Sequence, residues 1–357
     1  MLPALAIAEQ LVERGRAARS IAFVASRRPI DERLLSDTDH PRLLLEVDGI
    51  QRSFAPRALL RTALAIPKML VAVAIATRRL RLWQPRVVVS VGGFASEPAV
   101  RAARALSIPV VVVSYDVRPG LATRRQAKHA AAVAVAFAGS PLPGARHTGA
   151  PVRNSIRRLV RGPDRSYPAR VRAAESFGLD PSRTIVVAMG GSLGSRTINV
   201  AIESWVARNP HRRDAAVLHL VGERFIDEGP SLPVSEIQYV RRASHATMSD
   251  VWNVADVVVC RAGASTVAEI ATVGVPAIVL PWGASADAHQ KENARWLLDA
   301  GAAVVIDDAE VPARLEMELT RLIDDPLIRE RLAAKAYALG GLNRSSAIGS
   351  LIESIAR

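Results

Sequence analysis

The stretch Asp256-Val-Val-Val-Cys-Arg-Ala-Gly-Ala-Ser-Thr-Val-Ala-Glu269 decides the fold class. Val257, Val258 and Val259 are β-branched and continuous, as in a parallel strand covered on both faces. Gly263 and Ala264 let the backbone turn sharply and come close to a ligand. Ser265 or Thr266 is expected to cap the helix that follows. Unpaired N–H groups at that helix start suit a phosphate. Glu269, one turn into the helix, can accept two hydrogen bonds from a ribose diol. Any α/β protein contains plain strand-to-helix connections that carry a surface glutamate. The reading therefore gains weight from recurrence.

Working outward, Thr184-Ile-Val-Val-Ala-Met-Gly-Gly-Ser-Leu-Gly-Ser-Arg196 is again an apolar strand followed by Gly190, Gly191, Ser192 and Gly194. Its Gly-Gly-Ser-x-Gly order is like the nucleotide loops of doubly wound sheets, but it is not the dinucleotide Gly-x-Gly-x-x-Gly pattern. A third such turn is Val87-Val-Val-Ser-Val-Gly-Gly-Phe-Ala-Ser-Glu-Pro98. Three strand–glycine–helix units across two halves imply an α/β protein of two Rossmann-like domains. Ligands are then expected at the carboxyl ends of parallel strands, facing a shared central cleft.

The bulk composition agrees. The chain has 357 residues, 49% of them hydrophobic and 23% charged, which suits two domains with their own cores. The single cysteine, Cys260, lies in an apolar strand and reads as a small core residue. The formal net charge of +13 calls for an anionic partner: nucleic acid, an anionic membrane or a phosphorylated substrate. Basic residues are not interleaved with aromatics, and no zinc or helix-turn-helix spacing occurs, so nucleic acid is not expected. Arg52, Arg57, Arg61, Lys68, Arg78, Arg79, Arg81 and Arg86 surround the apolar stretch 63–77. Interrupted by Pro67 and Lys68, that stretch is too short to span a bilayer, which takes about 20 apolar residues. It reads either as a helix lying on an anionic membrane surface or as a core helix with a solvated basic end.

The chain opens with a helical segment, Met1 to Glu13, ended by Gly15. It has no basic segment ahead of its apolar run and is not read as a signal peptide. A doubly wound domain would place a strand and a glycine-rich turn before this helix, and both are missing from the chain as given. Strands are expected at 20–25, 43–47, 87–91, 110–114 and 132–136, then at 184–189, 217–221, 237–241, 256–260, 277–280 and 303–306. Helices are expected at 1–13, 57–80, 98–105 and 121–130, then at 195–206, 246–254, 265–272 and 289–300, with further helices after Val311 finishing the chain. Gly149 and Pro151 mark 146–153 as a crossing segment, and the polar run 157–166 reads as a linker.

At this point the chain resembles the MurG family of peptidoglycan glycosyltransferases. The resemblance runs, in order, through Leu2-Pro-Ala-Leu-Ala-Ile-Ala8, Gly92-Gly-Phe-Ala-Ser-Glu-Pro98, Pro119-Gly-Leu-Ala122, Thr148-Gly-Ala-Pro-Val-Arg153, Gly190-Gly-Ser-Leu-Gly-Ser-Arg196, Ala255 to Ile270 and His289-Gln-Lys-Glu-Asn-Ala294. It implies the two-domain GT-B fold. The expected division is an N-terminal, membrane-associated acceptor domain at 1–155, completed by the last helix at 341–357, and a UDP-sugar domain at 156–340. It implies transfer of N-acetylglucosamine from UDP-N-acetylglucosamine to the 4-hydroxyl of the muramyl sugar of lipid I, giving lipid II, on the cytoplasmic face of the membrane and without metal or cofactor.

The resemblance carries over residue by residue. Arg153 matches an arginine near the donor diphosphate, where a fixed cation balances the leaving charge. Ser192 matches a serine donating to the donor phosphates. Ala264, Ser265, Thr266, Val267 and Ala268 match the turn and helix start lining the donor site. Glu269 matches the ribose carboxylate, and Gln290 a glutamine that reads sugar hydroxyls. His245 falls where the family uses a backbone contact to uracil. Gly92, Gly93 and Phe94 fall on the acceptor side.

Two departures stand out. The family's Gly-Gly-Thr-Gly-Gly-His loop would precede Leu2. Its His-Glu-Gln-Asn run is Val113-Ser-Tyr-Asp116 here, so Asp116 replaces an asparagine that contacts the donor sugar and is the one acidic candidate for a base. These departures keep two alternatives open: a GT-B transferase with another lipid acceptor, and a non-catalytic relative that binds a UDP-sugar.

Overall fold

The computed structural model describes residues 1–36, 38–47, 56–159, 167–191, 193–229, 235–283 and 289–357, with backbone alone at 56–66. Two compact units emerge: Met1–Asn154 with Ser345–Arg357, and Ser155–Arg344.

The first unit contains α1 (Leu2–Glu13), β1 (Phe23–Ser26), α2 (Pro29–Ser36), β2 (Arg42–Leu45), α3 (Pro56–Trp83), β3 (Val88–Ser90), α4 (Glu97–Ala105), β4 (Val110–Ser114), α5 (Leu121–Ala127), β5 (Ala132–Val135) and β6 (Ala145–His147). Among the described residues β1 and β2 form one parallel pair, and β3-β4-β5-β6 form a separate parallel sheet. The valine run of β4 shows why the sequence reads as it does. Val111 and Val113 pack with Ile7 and Leu11 of α1 and with Ile348, Leu351 and Ile352 near the C-terminus. Val110 and Val112 pack on the opposite face, against Ala72, Ala76 and Leu80 of α3 and Val100 of α4. Alternating side chains thus meet helices on both faces, which removes the usual polar alternation.

Helix α3 serves two environments. Met69, Ala72, Ala76 and Leu80 are buried at helical spacing, while Leu70, Val71 and Ile75 are 62%, 59% and 45% exposed on another face. Core helix and exposed apolar surface, offered as alternatives by the sequence, are two sides of the same element. No helix among the described residues is long and apolar enough to cross a membrane.

The second unit runs from α6 (Asn154–Arg157), which spans the boundary, through α7 (Pro168–Phe177), β7 (Thr184–Met189), α8 (Arg196–Arg208), β8 (Ala215–Leu220), β9 (Gln238–Arg242), α9 (Met248–Val254), β10 (Val257–Cys260), α10 (Ala264–Val273), β11 (Ala277–Val279), α11 (His289–Asp299), β12 (Val304–Val305), α12 (Val311–Asp324) and α13 (Pro326–Leu339). The last helix, α14 (Ala347–Ile355), belongs to the first unit, where Arg14 on the turn after α1 reaches Glu353 at 2.6 Å.

The described strands of this second unit form one parallel sheet in the order β12-β11-β10-β7-β8-β9. Val186, Ala188, Val217, Val257, Val259 and Ile278 face α8 and α12 through Ile198, Ile202, Trp205, Leu315 and Leu319. Val187 and Val258 are equally buried on the other face. Three helices escape the sequence reading, α2, α6 and α7. Helix α2 buries only Leu35, and α7 buries an arginine. The crossing segment begins as a short edge strand, β6, because Ala145 to His147 pair with Val133 to Val135. Residues 160–166 of the expected linker lie outside the described residues.

Candidate functional site

In the second unit, three loops leave the sheet side by side. Cys260 at the end of β10 is level with Met189 of β7 and with Val279 of β11. The turns after these parallel strands must therefore emerge at one carboxyl edge, where α/β sheets bind ligands. The glycine loop after β7 is shaped by close backbone approach: a Cβ on Gly190 would overlap Ser195 N, and one on Gly194 would overlap Val221 O. Ser192 lies outside the described residues.

The caps differ from expectation. Helix α10 begins at Ala264 with Gly263 as its N-cap and no side-chain cap bond. Ser265 and Thr266 are already inside the first turn, so neither caps. The extended Gly263 (φ −63°, ψ 142°) turns the chain instead and leaves the first N–H groups of the helix without a side-chain partner from the cap position. On α8 the cap is Ser195, whose hydroxyl accepts from Ile198 N at 3.4 Å.

One arginine laces the three loops together. Arg261 donates through Nε to Ser195 Oγ at 3.0 Å and through Nη1 to Leu280 O at 3.1 Å, and it pairs with Asp308. The Asp308 carboxylate also accepts from Gly283 N at 3.4 Å. Asn293 of α11, 1% exposed, donates to Ala262 O at 3.2 Å. None of these bridges is announced by local sequence, although Arg261 and Asn293 stand inside the quoted motifs.

Glu269 lies one turn into α10, half-buried, and its Oε2 accepts from Trp252 Nε1 at 2.9 Å. Val267 and Ala268 point into the core at 0% and 3% exposure, so they support the helix start as packing residues. Gln290 opens α11, and its Oε1 accepts from Trp282 N at 3.0 Å. His245 precedes α9, edge-on to the Phe177 ring at 4.8 Å, with Asp250 at 3.5 Å. Burial beside Glu269 pushes the Cys260 thiol up to about 12, which keeps it protonated and inert.

The first unit brings together a second group. Gly92 and Gly93, both at φ +79°, follow β3, and Phe94 starts a short 3-10 turn before α4. Asp116 lies in the bend after β4, the strand next to β3, so these residues share a carboxyl edge. Ser90 Oγ accepts from Gly92 N at 3.2 Å and donates to Gln126 Oε1 at 2.6 Å. The Gln126 amide in turn reaches Ser96 and Glu97, at 2.9 and 3.0 Å, bracing the loop. Burial, with the Asp116 charge adding to it, raises the pKa of Tyr115. Arg153 is one-third exposed; its Nε donates to Glu9 Oε1 at 2.5 Å, and Asn154 N donates to Glu9 Oε2 at 2.7 Å. The arginine read as a diphosphate partner thus also has a carboxylate partner on α1. No cluster of histidine, cysteine or acidic residues suited to a metal occurs among the described residues.

Comparison with known proteins accords with this layout. Residues 1–135 match the model of the glycosyltransferase family 28 N-terminal domain, and residues 184–346 that of its C-terminal domain. A UDP-N-acetylglucosamine–N-acetylmuramyl-(pentapeptide) pyrophosphoryl-undecaprenol N-acetylglucosamine transferase of Alkalilimnicola ehrlichii is 34% identical, covering 95% of this chain and 91% of that protein. The enzyme of the same name from Paenarthrobacter aurescens is 36% identical over 98% of this chain and 91% of its own length. The crystal structure of Acinetobacter baumannii MurG superposes with a TM-score of 0.70 at 23% identity, over 99% of this chain and 95% of that one. A Neisseria meningitidis UDP-GlcNAc 2-epimerase shares the fold at a TM-score of 0.66 and 14% identity, over 98% and 96% of the two chains. Two parallel α/β units matched end to end by such structures are the GT-B fold, and the chain belongs to glycosyltransferase family 28, in its MurG group.

Proposed function

We infer that this protein is an inverting glycosyltransferase that moves N-acetylglucosamine from UDP-N-acetylglucosamine to the 4-hydroxyl of the muramyl sugar of lipid I, forming lipid II for peptidoglycan. The observation that carries this reading is the carboxyl edge of β7, β10 and β11. There a glycine loop, a bare helix start at Ala264 and the Glu269 carboxylate lie on one rigid, Arg261-laced frame. On this reading helix α10 offers N–H donors to a diphosphate, and Glu269 one turn later accepts from the ribose hydroxyls. Gln290 spends its carbonyl oxygen on Trp282 N, so it presents its amide NH2 to an oxygen of the sugar. Ser192 and His245 take the phosphate and base sides.

In the reaction the acceptor hydroxyl attacks the anomeric carbon, the glycosidic C–O bond to the diphosphate breaks, and UDP departs with the electron pair. Helix N–H groups meet the developing charge on UDP, and Arg153 is the cation assigned to balance it. Asp116, beside Gly92, Gly93 and Phe94, is the candidate to receive the acceptor proton. The first unit (Met1–Asn154 with Ser345–Arg357) serves as the acceptor domain, and the second (Ser155–Arg344) as the donor domain.

The acceptor carries a long lipid, and α3 fits the surface in which that lipid is anchored. Its exposed Leu70, Val71 and Ile75 lie on the same helix as exposed Lys68, Arg78, Arg79 and Arg81. Apolar side chains entering the headgroup boundary beside cations are the chemistry of a peripheral protein on an anionic membrane, here the cytoplasmic face. Arg52, Arg57 and Arg61 of the same basic group lie outside the described side chains. The test is release of UDP and formation of labelled lipid II from UDP-N-acetylglucosamine, with lipid I or diacylglycerol as acceptor. Turnover with lipid I alone is expected; turnover with diacylglycerol, or none with either, would overturn the assignment.

A further inference from the structure

Trp252 is 0% exposed in α9, yet its one polar atom does not bond to backbone: Nε1–H donates to Glu269 Oε2 at 2.9 Å. Indole has this single donor and no acceptor, so a buried tryptophan must spend it, and here it spends it on a carboxylate. A glutamate on a helix surface ordinarily samples several rotamers, at an entropic cost when a ligand selects one. A ring locked by packing fixes one carboxylate oxygen in advance. The donor is also neutral. An arginine in the same place would cancel the charge that makes Glu269 a strong acceptor for hydroxyls, whereas an indole N–H orients the carboxylate and leaves its charge intact. Finally, the bond ties α10 to α9, the helix that follows His245. The base-side segment and the ribose-side carboxylate are thereby held by one contact between neighbouring helices.

We propose that Trp252 is a positioning residue for donor recognition: its indole N–H sets the carboxylate of Glu269 for the ribose diol of a uridine diphosphate. The proposal rests on the ribose role of Glu269 given above. It goes beyond that role by naming a residue, fully inside the core and touching no ligand, that governs discrimination between ribose and deoxyribose.

The test uses the full chain, with Trp252→Phe to keep ring and burial while removing the donor, and titrates UDP and 2′-deoxy-UDP by calorimetry. The wild type is expected to prefer UDP by about 10-fold, and the variant to bind UDP about 5-fold more weakly, because it loses the preset orientation of Glu269 and not the bond to the ribose itself. Affinity for 2′-deoxy-UDP should hardly change, so the preference shrinks, and kcat at saturating donor should be kept while KM rises. Glu269→Ala should abolish the preference, and Trp252→Phe should add nothing in that background. A folded Trp252→Phe protein with the wild-type preference would overturn the proposal, provided Glu269→Ala loses it. Retention of the preference by Glu269→Ala would instead remove the ribose reading on which the proposal stands. Should Trp252→Phe fail to fold, the indole N–H resonances of wild type and Glu269→Gln decide. One indole signal must move both with that substitution and with UDP, and the absence of any such signal contradicts the proposal.

Discussion

The carboxyl edges of the two units are built differently. In the second unit, loops from three adjacent strands are bonded to one another: Arg261 joins Ser195, Leu280 and Asp308, and Asp308 reaches Gly283. In the first unit, the Gly92 loop is braced from within its own strand–helix connection and by α5, through Ser90, Gln126, Ser96 and Glu97. The same unit also carries α3, with an exposed apolar and cationic face. A nucleotide-sugar is small and chemically constant, so a rigid frame with preset donors and acceptors serves it. A lipid-linked acceptor arrives from a surface, and the unit assigned to it spends apolar area and charge on solvent-facing side chains. On the proposed reading, nucleotide recognition and membrane attachment are assigned to separate parts of the chain, so each should break without the other.

The sharpest way to break the second unit alone is through its buried ion pair. Arg170 and Asp256, 0% and 5% exposed, meet at 2.6 Å, and Arg170 also donates to Pro181 O and Arg183 O. Replacing Arg170 by Met leaves a carboxylate in the core without its cation. It should cost about 3–5 kcal/mol of stability in denaturant titrations. The loss should appear in the transition that contains the second unit's fully buried tryptophans, Trp205 and Trp252.

Charge on α3 breaks the other side of the comparison. Neutralising Lys68, Arg78, Arg79 and Arg81 together should remove up to about 4 kcal/mol of attraction to anionic vesicles, at about 1 kcal/mol per cation before screening. Sedimentation with vesicles at low and high salt reads it, and UDP affinity should not move. Equal pelleting of wild type and variant would leave α3 as a core helix with no membrane role.

Acid should loosen the second unit through His219. This fully buried imidazole bonds Tyr239 Oη at 2.8 Å and Asn199 Oδ1 at 3.1 Å, beside the Glu203–Arg241 pair. Burial first, and then the Arg241 charge, push its pKa down to about 3. The unfolded chain takes up a proton below about pH 6.5, whereas the folded one does so only near 3, so stability is lost as pH falls through that window. At pH 4.5 the loss is about 3 kcal/mol, from roughly 1.4 kcal/mol for each of two pH units. His219→Gln should flatten the wild-type slope between pH 6.5 and 4.5; an unchanged slope would mean that other groups set it.

Much of this architecture is legible in the chain. Continuous apolar runs mark β4, β7 and β10 because helices cover both faces of each sheet, and Gly190 and Gly194 mark a turn where backbone passes closely. Helix α7 stays hidden because its inward face carries Arg170 beside two alanines, and arginine at a core position breaks the apolar period. The caps stay hidden for a related reason. Ser192, Ser195, Ser265 and Thr266 are all fit to cap, and only the backbone angles at Ser195 and Gly263 decide which residue does. Contacts such as Glu9 with Arg153, or Trp252 with Glu269, join side chains from different elements, and no local period announces them.

The claim that the second unit recognises the nucleotide through the α10 turn is tested most directly by titrating UDP into Glu269→Ala in a calorimeter. Loss of a charge-assisted bond to the ribose should weaken binding by about 1–3 kcal/mol. The thermal midpoint should fall by a few degrees, because the buried Trp252 N–H loses its acceptor, and vesicle binding should stay near that of the wild type. A folded Glu269→Ala protein with unchanged UDP affinity would contradict the account.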